Sequence, residues 1–233
     1  MREGTEHVTR NNQTRVGIIV PSSNTVVESD FQRMNPGRLS THFARAVLAE
    51  TTAAAERAMI EDYVPQAAID LGSAKVELVA FACTSAAAVV GVEGENALIE
   101  RLSALASAQV VSTNNAVAQR LQAESAGKVA ILTAYVEELN RAIAAGLRER
   151  GVDVAMIDGM GITDNFAIAD VTPTDIVEYA VDRLDGQDFD TLFISCTNLR
   201  AIEAMEALES RFGRPVVTSN SATIDAILTA VGS

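Results

Sequence analysis

Short apolar runs alternate along the chain with longer segments of helical periodicity. The runs are rich in β-branched residues, as in VGIIV at 16–20 and VAIL at 129–132. Such runs are typical of strands that a parallel sheet buries on both faces. Strands are therefore predicted at 16–20, 77–82, 109–111, 129–132, 152–157, 191–195 and 216–217.

The segments between these strands carry the spacing and the punctuation of helices. Gly151 stands at the C′ position of one helix, and Thr172 before Pro173 offers an N-cap for another. Pro65 interrupts an Ala- and Glu-rich segment at 51–72. Helices are predicted at 51–72, 93–107, from about 115, at 135–150, 173–184, 199–212 and 222–231, and polar turns at 112–115 and 219–221. This alternation predicts an α/β fold whose parallel sheet is covered by helices.

The second half of the sequence repeats the first. The matching segments are 15–22 with 128–135, the Cys-Thr pair at 83–84 with that at 196–197, and VVSTNNA at 110–116 with VVTSNSA at 216–222. The first two matches share an offset of 113 residues, and the third has an offset of 106. The repeat predicts two similar α/β halves, at about 13–115 and 127–225, related by a pseudo-twofold axis.

The repeat also predicts where the domains divide. The first domain is expected to comprise 13–115 together with a C-terminal helix at 222–233, which packs back on the first half. The second domain is expected to comprise 116–221. Residues 1–12 are polar and are predicted to form a disordered tail.

Charge and composition narrow the classes of partner. The net charge of -13 argues against a nucleic-acid or anionic-membrane surface, since such a surface needs a basic patch. The N-terminus has no apolar signal segment, and the longest uncharged run, at 78–92, is shorter than the roughly 18 residues of a membrane span. A cytoplasmic protein with reduced cysteines is therefore expected.

The two cysteines and two histidines also limit the chemistry. Cys83 and Cys196 lie too far apart in sequence for a local metal clip, and two histidines offer little for a zinc site or a Ser-His-Asp triad. A local metal clip, a histidine-based zinc site and a Ser-His-Asp triad are therefore not expected.

Both cysteines follow an apolar strand and begin a short polar turn. Because ligands of open parallel sheets bind beyond the carboxyl ends of the strands, two facing halves place Cys83 and Cys196 on opposite sides of one cleft. This geometry suits two thiols that act on either face of a planar centre. The alternative is that each cysteine is a small buried hydrophobic residue, which is a common role.

The turns after the cysteines are suited to an anionic ligand. Thr84, Ser85, Thr197 and Asn198 present side-chain donors close to predicted helix starts, where backbone N–H groups favour anions. Such a site is expected to lower a thiol pKa from about 8.5 toward neutrality. Its donors would also stabilise the enediolate that forms next to a carboxylate. A small carboxylate substrate is therefore predicted.

Other polar residues near strand ends allow two interpretations. Asn24 ends the first strand and faces the same cleft, or it is only a helix cap. Tyr135 matches Ser22 in the other half, and Asn165 lies in a polar loop; both could instead have packing or loop roles. Arg200 offsets substrate charge or lies on the surface of its helix. The stretch at 53–58 is interpreted as helix only.

Four segments resemble the maleate cis-trans isomerase group. They are VPSSNTVVE at 20–28, FACTS at 81–85, ITDNFAIAD at 162–170 and ISCTNLRA at 194–201. The group belongs to the aspartate/glutamate racemase superfamily, which also includes arylmalonate decarboxylase, and the resemblance extends from about residue 14 to 230. It implies two Rossmann-like domains with the active site between them, a homo-oligomer, and no metal, flavin or pyridoxal cofactor.

The resemblance also implies roles for the candidate residues. Cys83 is the nucleophile that adds to maleate and gives a succinyl thioether; bond rotation and breakdown then give fumarate. Cys196 is the acid and base. The remaining matched positions are substrate binders, Asn24, Tyr135 and Asn165, and carboxylate donors, Thr84, Ser85, Thr197 and Asn198.

One departure from the pattern leaves the substrate open. The segment Thr84-Ser85-Ala86 is more polar than in the maleate isomerases and is similar to the carboxylate-binding turn of arylmalonate decarboxylase. Typical decarboxylases, however, lack the first cysteine. The alternatives are a racemase of an amino acid or 2-substituted acid, a malonate decarboxylase, and a small-acid binding protein without chemistry.

Overall fold

Eight strands alternate with ten α-helices in the residues that the computed structural model describes, 13–35, 37–123 and 127–232. The predicted disordered tail, 1–12, lies outside them. The strands are β1 Thr14–Pro21, β2 Leu39–Ala46, β3 Leu78–Phe81, β4 Gln109–Ser112, β5 Lys128–Thr133, β6 Asp153–Gly159, β7 Thr191–Ser195 and β8 Val216–Thr218.

The helices lie between these strands. They are α1 Val27–Met34, α2 Ala53–Ala58, α3 Val64–Ser73, α4 Thr84–Ala106, α5 Thr113–Ala123, α6 Glu137–Glu149, α7 Asn165–Asp170, α8 Pro173–Leu184, α9 Ala201–Phe212 and α10 Ser219–Ala230. A π-helical turn, Met59–Tyr63, joins α2 to α3. Gly91, with φ 72° and ψ 176°, divides α4 into two helical pieces.

The strands form two four-stranded parallel sheets of equivalent order, β2-β1-β3-β4 and β6-β5-β7-β8. Val16 pairs with Leu78 in the first sheet, and Val129 pairs with Thr191, each 113 positions later, in the second. The α/β fold class and the sequence repeat are thereby confirmed. Val110 and Val216, which oppose equivalent residues of β3 and β7, keep the smaller offset of 106.

Two predicted helix boundaries are confirmed and explained by capping. Thr172 accepts a hydrogen bond from the Asp175 N–H, and Asp175 accepts one from the Thr172 N–H, so that a capping box precedes Pro173. Gly151, with φ 82°, follows the end of α6 in the left-handed conformation that glycine adopts without strain.

Several local predictions were wrong. β2, LSTHFARA, was missed because it is an edge strand with mixed polarity, and α1 was missed beside it. The turns predicted at 112–115 and 219–221 contain the first residues of α5 and α10. Hydroxyl and amide residues favour turns and helix N-termini alike, as the capping box of Thr218 and Ser221 illustrates.

Two further corrections bear on the site. α4 begins at Thr84, immediately after Cys83, rather than at 93. The loop expected around Asn165 is the start of α7, with Asp164 as its N-cap. Both helices place their first residues beside strand ends.

The apolar core covers both faces of each sheet. Ile224 and Ile227 of α10 belong to the core of the first sheet. Val117 and Leu121 of α5 belong to the core of the second sheet. The division into domains at 115/116 and 221/222 stays a prediction. Among the described helices, none combines the length and the apolar character that crossing a bilayer requires.

Candidate active site

The two cysteines lie at the carboxyl ends of equivalent strands. Cys83 follows β3 and directly precedes α4, and Cys196 follows β7. Each side chain is only 3% exposed. Cys196 has a φ of 154°, which residues with a Cβ rarely adopt. This unusual backbone turns the chain sharply after β7, where Asn198 donates its N–H to the Cys196 sulfur at 3.3 Å.

Hydrogen bonds join the strand ends of the two halves around these thiols. Asn24 Nδ2 donates to Thr197 Oγ1 at 3.2 Å, and the Thr25 N–H donates to Asn198 Oδ1 at 2.9 Å. The Thr84 hydroxyl donates to Ser219 Oγ at 2.9 Å, and Ser219 Oγ accepts the Cys196 N–H at 3.1 Å. The carboxyl ends of both sheets therefore meet at one buried site.

Asn165 closes a third side of the site. Its Nδ2 donates to Ser23 Oγ at 2.7 Å, and its carbonyl accepts from Asn198 Nδ2 at 2.5 Å. Thr51 fixes the neighbouring loop, because its N–H donates to the Thr163 carbonyl at 2.7 Å. The start of α7 is therefore held against the loops of both halves.

Tyr135 and Cys196 form a buried pair. The Tyr135 hydroxyl hydrogen-bonds the Cys196 thiol, and the side chains are 2% and 3% exposed. Burial raises the pKa of Cys196 to about 11, while the Tyr135 hydroxyl and the N–H groups of Asn198 and Leu199 oppose the rise. Burial, followed by the charges of Cys196 and Cys83, raises the pKa of Tyr135 well above its usual value. Tyr135 therefore interacts electrostatically with both thiols.

Cys83 instead lies beside a carboxyl group. Its sulfur donates to Glu56 Oε2 at 3.6 Å, and the Ser85 hydroxyl donates to Glu56 Oε1. Burial raises the pKa of Cys83 well above its usual value, and the charges of Glu56 and of Cys196 add to the rise. Burial likewise raises the pKa of Glu56 to about 7, against the hydrogen bonds from Ser85 and Cys83.

The expected lowering of the thiol pKa values is therefore wrong for this structure. Hydrogen bonds from N–H groups at the turns do favour the thiolates, with Ala86 serving Cys83 and Asn198 serving Cys196. Complete burial outweighs them, since it removes a thiolate from water. A proton must consequently be transferred within the site before either sulfur can act as a thiolate.

The structure brings all the predicted site residues together, and all are buried. The donors that were expected to hold carboxylates bond within the protein here: Thr84 to Ser219, Ser85 to Glu56, and Thr197 to the Ala82 carbonyl at 3.2 Å. Arg200 is half-exposed and pairs with Glu203 on the surface.

Sequence reasoning missed Glu56, Ser219 and Ser23. Glu56 was interpreted as part of a helix only, and nothing local distinguishes it from the other acidic residues of an Ala-rich segment. Ser219 lies in the repeated VVTSNSA segment, which was the available signal. Ser23 lies in the VPSSNT segment beside Asn24.

Among the described residues, no group of three or more His, Cys, Asp or Glu side chains is arranged to hold a metal ion. The side chains around the thiols are hydroxyl and amide groups together with the Glu56 carboxyl. They can bind oxygen atoms of a substrate and exchange protons with it.

Fold and site together define a two-lobed α/β protein with a pair of buried thiols between its lobes. The sequence model of the arylmalonate decarboxylase family matches residues 16–233, and the chain belongs to that family.

Relatives of two activities resemble the chain over most of its length. The maleate isomerase of Pseudomonas putida is 28% identical over 230 residues, which cover 93% of this chain and 91% of the relative. The arylmalonate decarboxylase of Bordetella bronchiseptica is 29% identical over 210 residues, which cover 89% and 86%. A structure of a cysteine-to-alanine variant of a Pseudomonas putida maleate isomerase with maleate has a TM-score of 0.85 at 25% identity, covering 94% and 92%.

Proposed function

We propose that this protein isomerises maleate to fumarate through a covalent adduct on Cys83, without a cofactor. The observation that carries the proposal is the pairing of two buried thiols in one site, each with a different proton partner. Maleate isomerases among the relatives, one of them solved with maleate, support the choice of substrate.

The reaction begins with addition to the alkene. The Cys83 thiol gives its proton to a base within the site, its sulfur forms a bond to one alkene carbon, and the π-electron pair moves to the second carbon and its carboxylate. The Cys196 thiol gives its proton to that second carbon. The site then holds a succinyl thioether on Cys83 and a thiolate on Cys196.

Rotation and elimination complete the reaction. The bond between the two central carbons is now single, so it can rotate. The Cys196 thiolate then takes a proton from the second carbon, and the electron pair restores the double bond as the carbon–sulfur bond breaks. Fumarate leaves, the Cys83 sulfur takes its proton back, and both cysteines regain their starting state, which explains why no redox or other cofactor is required.

The surrounding donors have binding roles in this proposal. Asn24, Tyr135 and Asn165 contact the substrate, and hydroxyl or amide groups of Thr84, Ser85, Thr197 and Asn198 hold its carboxylates. To do so, those groups exchange the partners they have in this structure for substrate oxygens. Neutral donors bind a dianion without the cost of a buried positive charge, and they stabilise the enediolate that precedes carbon protonation.

The direct test is turnover by the purified wild-type chain. We expect proton NMR to show maleate converted to fumarate with no added cofactor, at the same rate after exhaustive treatment with a metal chelator. A variant with both cysteines replaced by alanine is the control for uncatalysed isomerisation. If the wild-type chain converts maleate no faster than this control, the proposed substrate is wrong.

Decarboxylation of a malonate is the second candidate, because the family model and the Thr84-Ser85 turn both point to it. Release of CO2 from an arylmalonate by the wild-type chain, without turnover of maleate, would establish it in place of isomerisation. A racemase would instead exchange the α-proton of an amino acid or 2-substituted acid with deuterated water.

We further propose that the chain works as a cytoplasmic homo-oligomer of two-domain subunits, with the domain division given above. The family resemblance and the reduced cysteines favour this assignment. Light scattering coupled to size-exclusion chromatography should give a mass that is a multiple of one chain. A mass equal to a single chain at working concentrations would contradict it.

A further inference from the structure

Glu56 is a buried carboxyl group in direct contact with the proposed nucleophile. It is 0% exposed, its Oε2 accepts the Cys83 thiol at 3.6 Å, and its Oε1 accepts the Ser85 hydroxyl. Burial of an acidic side chain is costly unless the group is hydrogen-bonded, and here both oxygens are. Burying the Glu56 carboxyl against the Cys83 thiol costs free energy, which favours a functional role for Glu56 over a packing role.

We propose that Glu56 is the proton acceptor for Cys83: it takes the thiol proton as the sulfur attacks and returns that proton when the carbon–sulfur bond breaks. The sulfur–hydrogen bond breaks, an oxygen–hydrogen bond forms on Oε2, and the sulfur electron pair becomes the nucleophile. The pair keeps one negative charge throughout the transfer. The substrate in this step rests on the proposed function, but the transfer from Cys83 to Glu56 does not.

The electrostatics of the site explain why such an acceptor is needed. Burial raises the pKa of Cys83, so that a free thiolate is disfavoured there. An ionised Glu56 would disfavour it further, whereas a protonated Glu56 removes that repulsion. Burial also raises the pKa of Glu56 to about 7, which suits a group that must accept and release a proton near neutral pH.

The local structure holds Glu56 in place. Thr52 caps α2 by accepting the Ala55 N–H at 3.3 Å, and the π-helical turn Met59–Tyr63 follows; such turns often occur at functional sites. Arg57 donates to the Val89 carbonyl at 2.7 Å, so its guanidinium is engaged elsewhere. Among the described residues, Glu56 acts electrostatically on the titratable groups of Cys83, Cys196 and Tyr135.

The chain offers a clean assay, since it contains only two cysteines. In a Cys196→Ala background, Cys83 is the single thiol, and its alkylation by iodoacetamide can be followed without any substrate. We expect the rate to rise with pH around a midpoint near the Glu56 pKa of about 7. Adding Glu56→Gln should slow alkylation at pH 7.5 by about tenfold or more and move the midpoint upward.

The opposite sign would overturn the proposal. If Glu56 acts only through its negative charge, Glu56→Gln lowers the pKa of Cys83 and alkylation becomes faster. An unchanged rate would contradict the proposal as well. If Glu56→Gln does not fold, the Cys196→Ala protein alone decides, because a midpoint above pH 9 would rule out proton transfer to a group with a pKa of about 7.

Two controls separate this role from general damage. Glu95→Gln is the comparison variant: Glu95 is also 0% exposed and also accepts a serine hydroxyl, that of Ser112, and it pairs in addition with Arg150. It should leave the alkylation rate of Cys83 unchanged. In a Cys83→Ala background, Glu56→Gln should not slow alkylation of Cys196, whose hydroxyl partner is Tyr135. Slowing in either control would indicate a structural effect and overturn the assignment.

A catalytic measurement then connects Glu56 to the proposed function. On maleate, Glu56→Gln should lower kcat by roughly 100-fold and leave KM within a few fold, since the proton transfer matters in the transition state. If wild-type protein does not convert maleate but the alkylation results hold, the proposed function fails and the role of Glu56 stands. If wild-type protein converts maleate and Glu56→Gln is fully active, the proposed function stands and the role of Glu56 fails.

Discussion

Cys83 and Cys196 occupy equivalent places in two halves that share strand order and register, yet their neighbours differ. The Cys83 thiol donates to a carboxyl group, that of Glu56, while Cys196 accepts from the Tyr135 hydroxyl and from the Asn198 N–H. One sulfur is therefore set beside a proton acceptor and the other among donors. The repeated fold places the two thiols at equivalent positions, and the side chains around each thiol give it a different role.

Backbone around the two thiols differs in the same way. After Cys83, α4 begins at once, whereas four residues separate Cys196 from α9. The second turn leaves room for Asn198 to donate to the Cys196 sulfur and to contact the Thr25 N–H of the other half. The asymmetry therefore lies in the backbone as well as in the residue types.

Removal of each thiol should have a different consequence. Cys83→Ala should lower maleate turnover by roughly 10⁴-fold or more, because no covalent route remains. Cys196→Ala should lower it by about 10³-fold, the size of a lost acid–base step. Steady-state kinetics by fumarate absorbance or NMR measures both. Equal residual activity in the two variants would contradict the different roles proposed for Cys83 and Cys196.

Tyr135→Phe tests the donor side alone. The ring keeps its packing, but the hydroxyl that favours the Cys196 thiolate is lost. We expect maleate turnover to fall by about 10- to 100-fold, the scale of one charge-assisted hydrogen bond. Alkylation of Cys196 in a Cys83→Ala background should shift to higher pH, while that of Cys83 should change little. If the pH dependence of alkylation shifted more for Cys83 than for Cys196, Tyr135 would not be the donor to Cys196.

A buried carboxyl group, that of Asp30, lies near Cys196 and can be compared with Glu56 beside Cys83. Asp30 accepts from Asn220 Nδ2 at 2.7 Å, and Asn220 also donates to the Thr197 carbonyl at 3.0 Å, next to Cys196. Asp30 therefore supports the Cys196 turn without touching the sulfur. Burial raises its pKa to about 6. We expect Asp30→Asn to change maleate turnover by less than about threefold, unlike Glu56→Gln.

Asp30 should instead appear in the pH dependence of stability. Because its folded pKa is raised, the native state binds more protons than the unfolded state between about pH 4 and 6, so stability falls as pH rises through that window. As pH rises from about 4 to 6, the free energy of unfolding measured with denaturant should fall by about 1–3 kcal/mol less in Asp30→Asn than in the wild type. Glu56 contributes a slope of the same sign up to about pH 7, which the variant keeps. Parallel curves for both proteins would contradict this account.

The central strands could be predicted from sequence because they are continuously apolar. β1, β3, β5 and β7 are flanked by other strands and packed on both faces, so few polar residues interrupt them. β2 lies at a sheet edge, most of its residues are partly exposed, and its composition does not distinguish it from a loop. The repeat offsets anticipated the strand register, because matched strands keep matched partners.

The candidate site was predictable where the chain itself places residues. Cys83, Cys196 and Tyr135 each follow a strand, so topology alone brings them to one edge. Glu56 reaches Cys83 from a helix 27 residues earlier, and only the folded packing of α2 on α4 reveals this contact. The thiol pKa values were misjudged for a similar reason, since burial is a property of the folded molecule.

Mass spectrometry of trapped protein tests the central claim most directly. Cys196→Ala protein incubated with maleate and quenched should gain the mass of one maleate, located by peptide analysis on Cys83, and Cys83→Ala protein should gain none. An adduct on Cys196 instead, or none on either variant while wild-type protein converts maleate, would contradict the account.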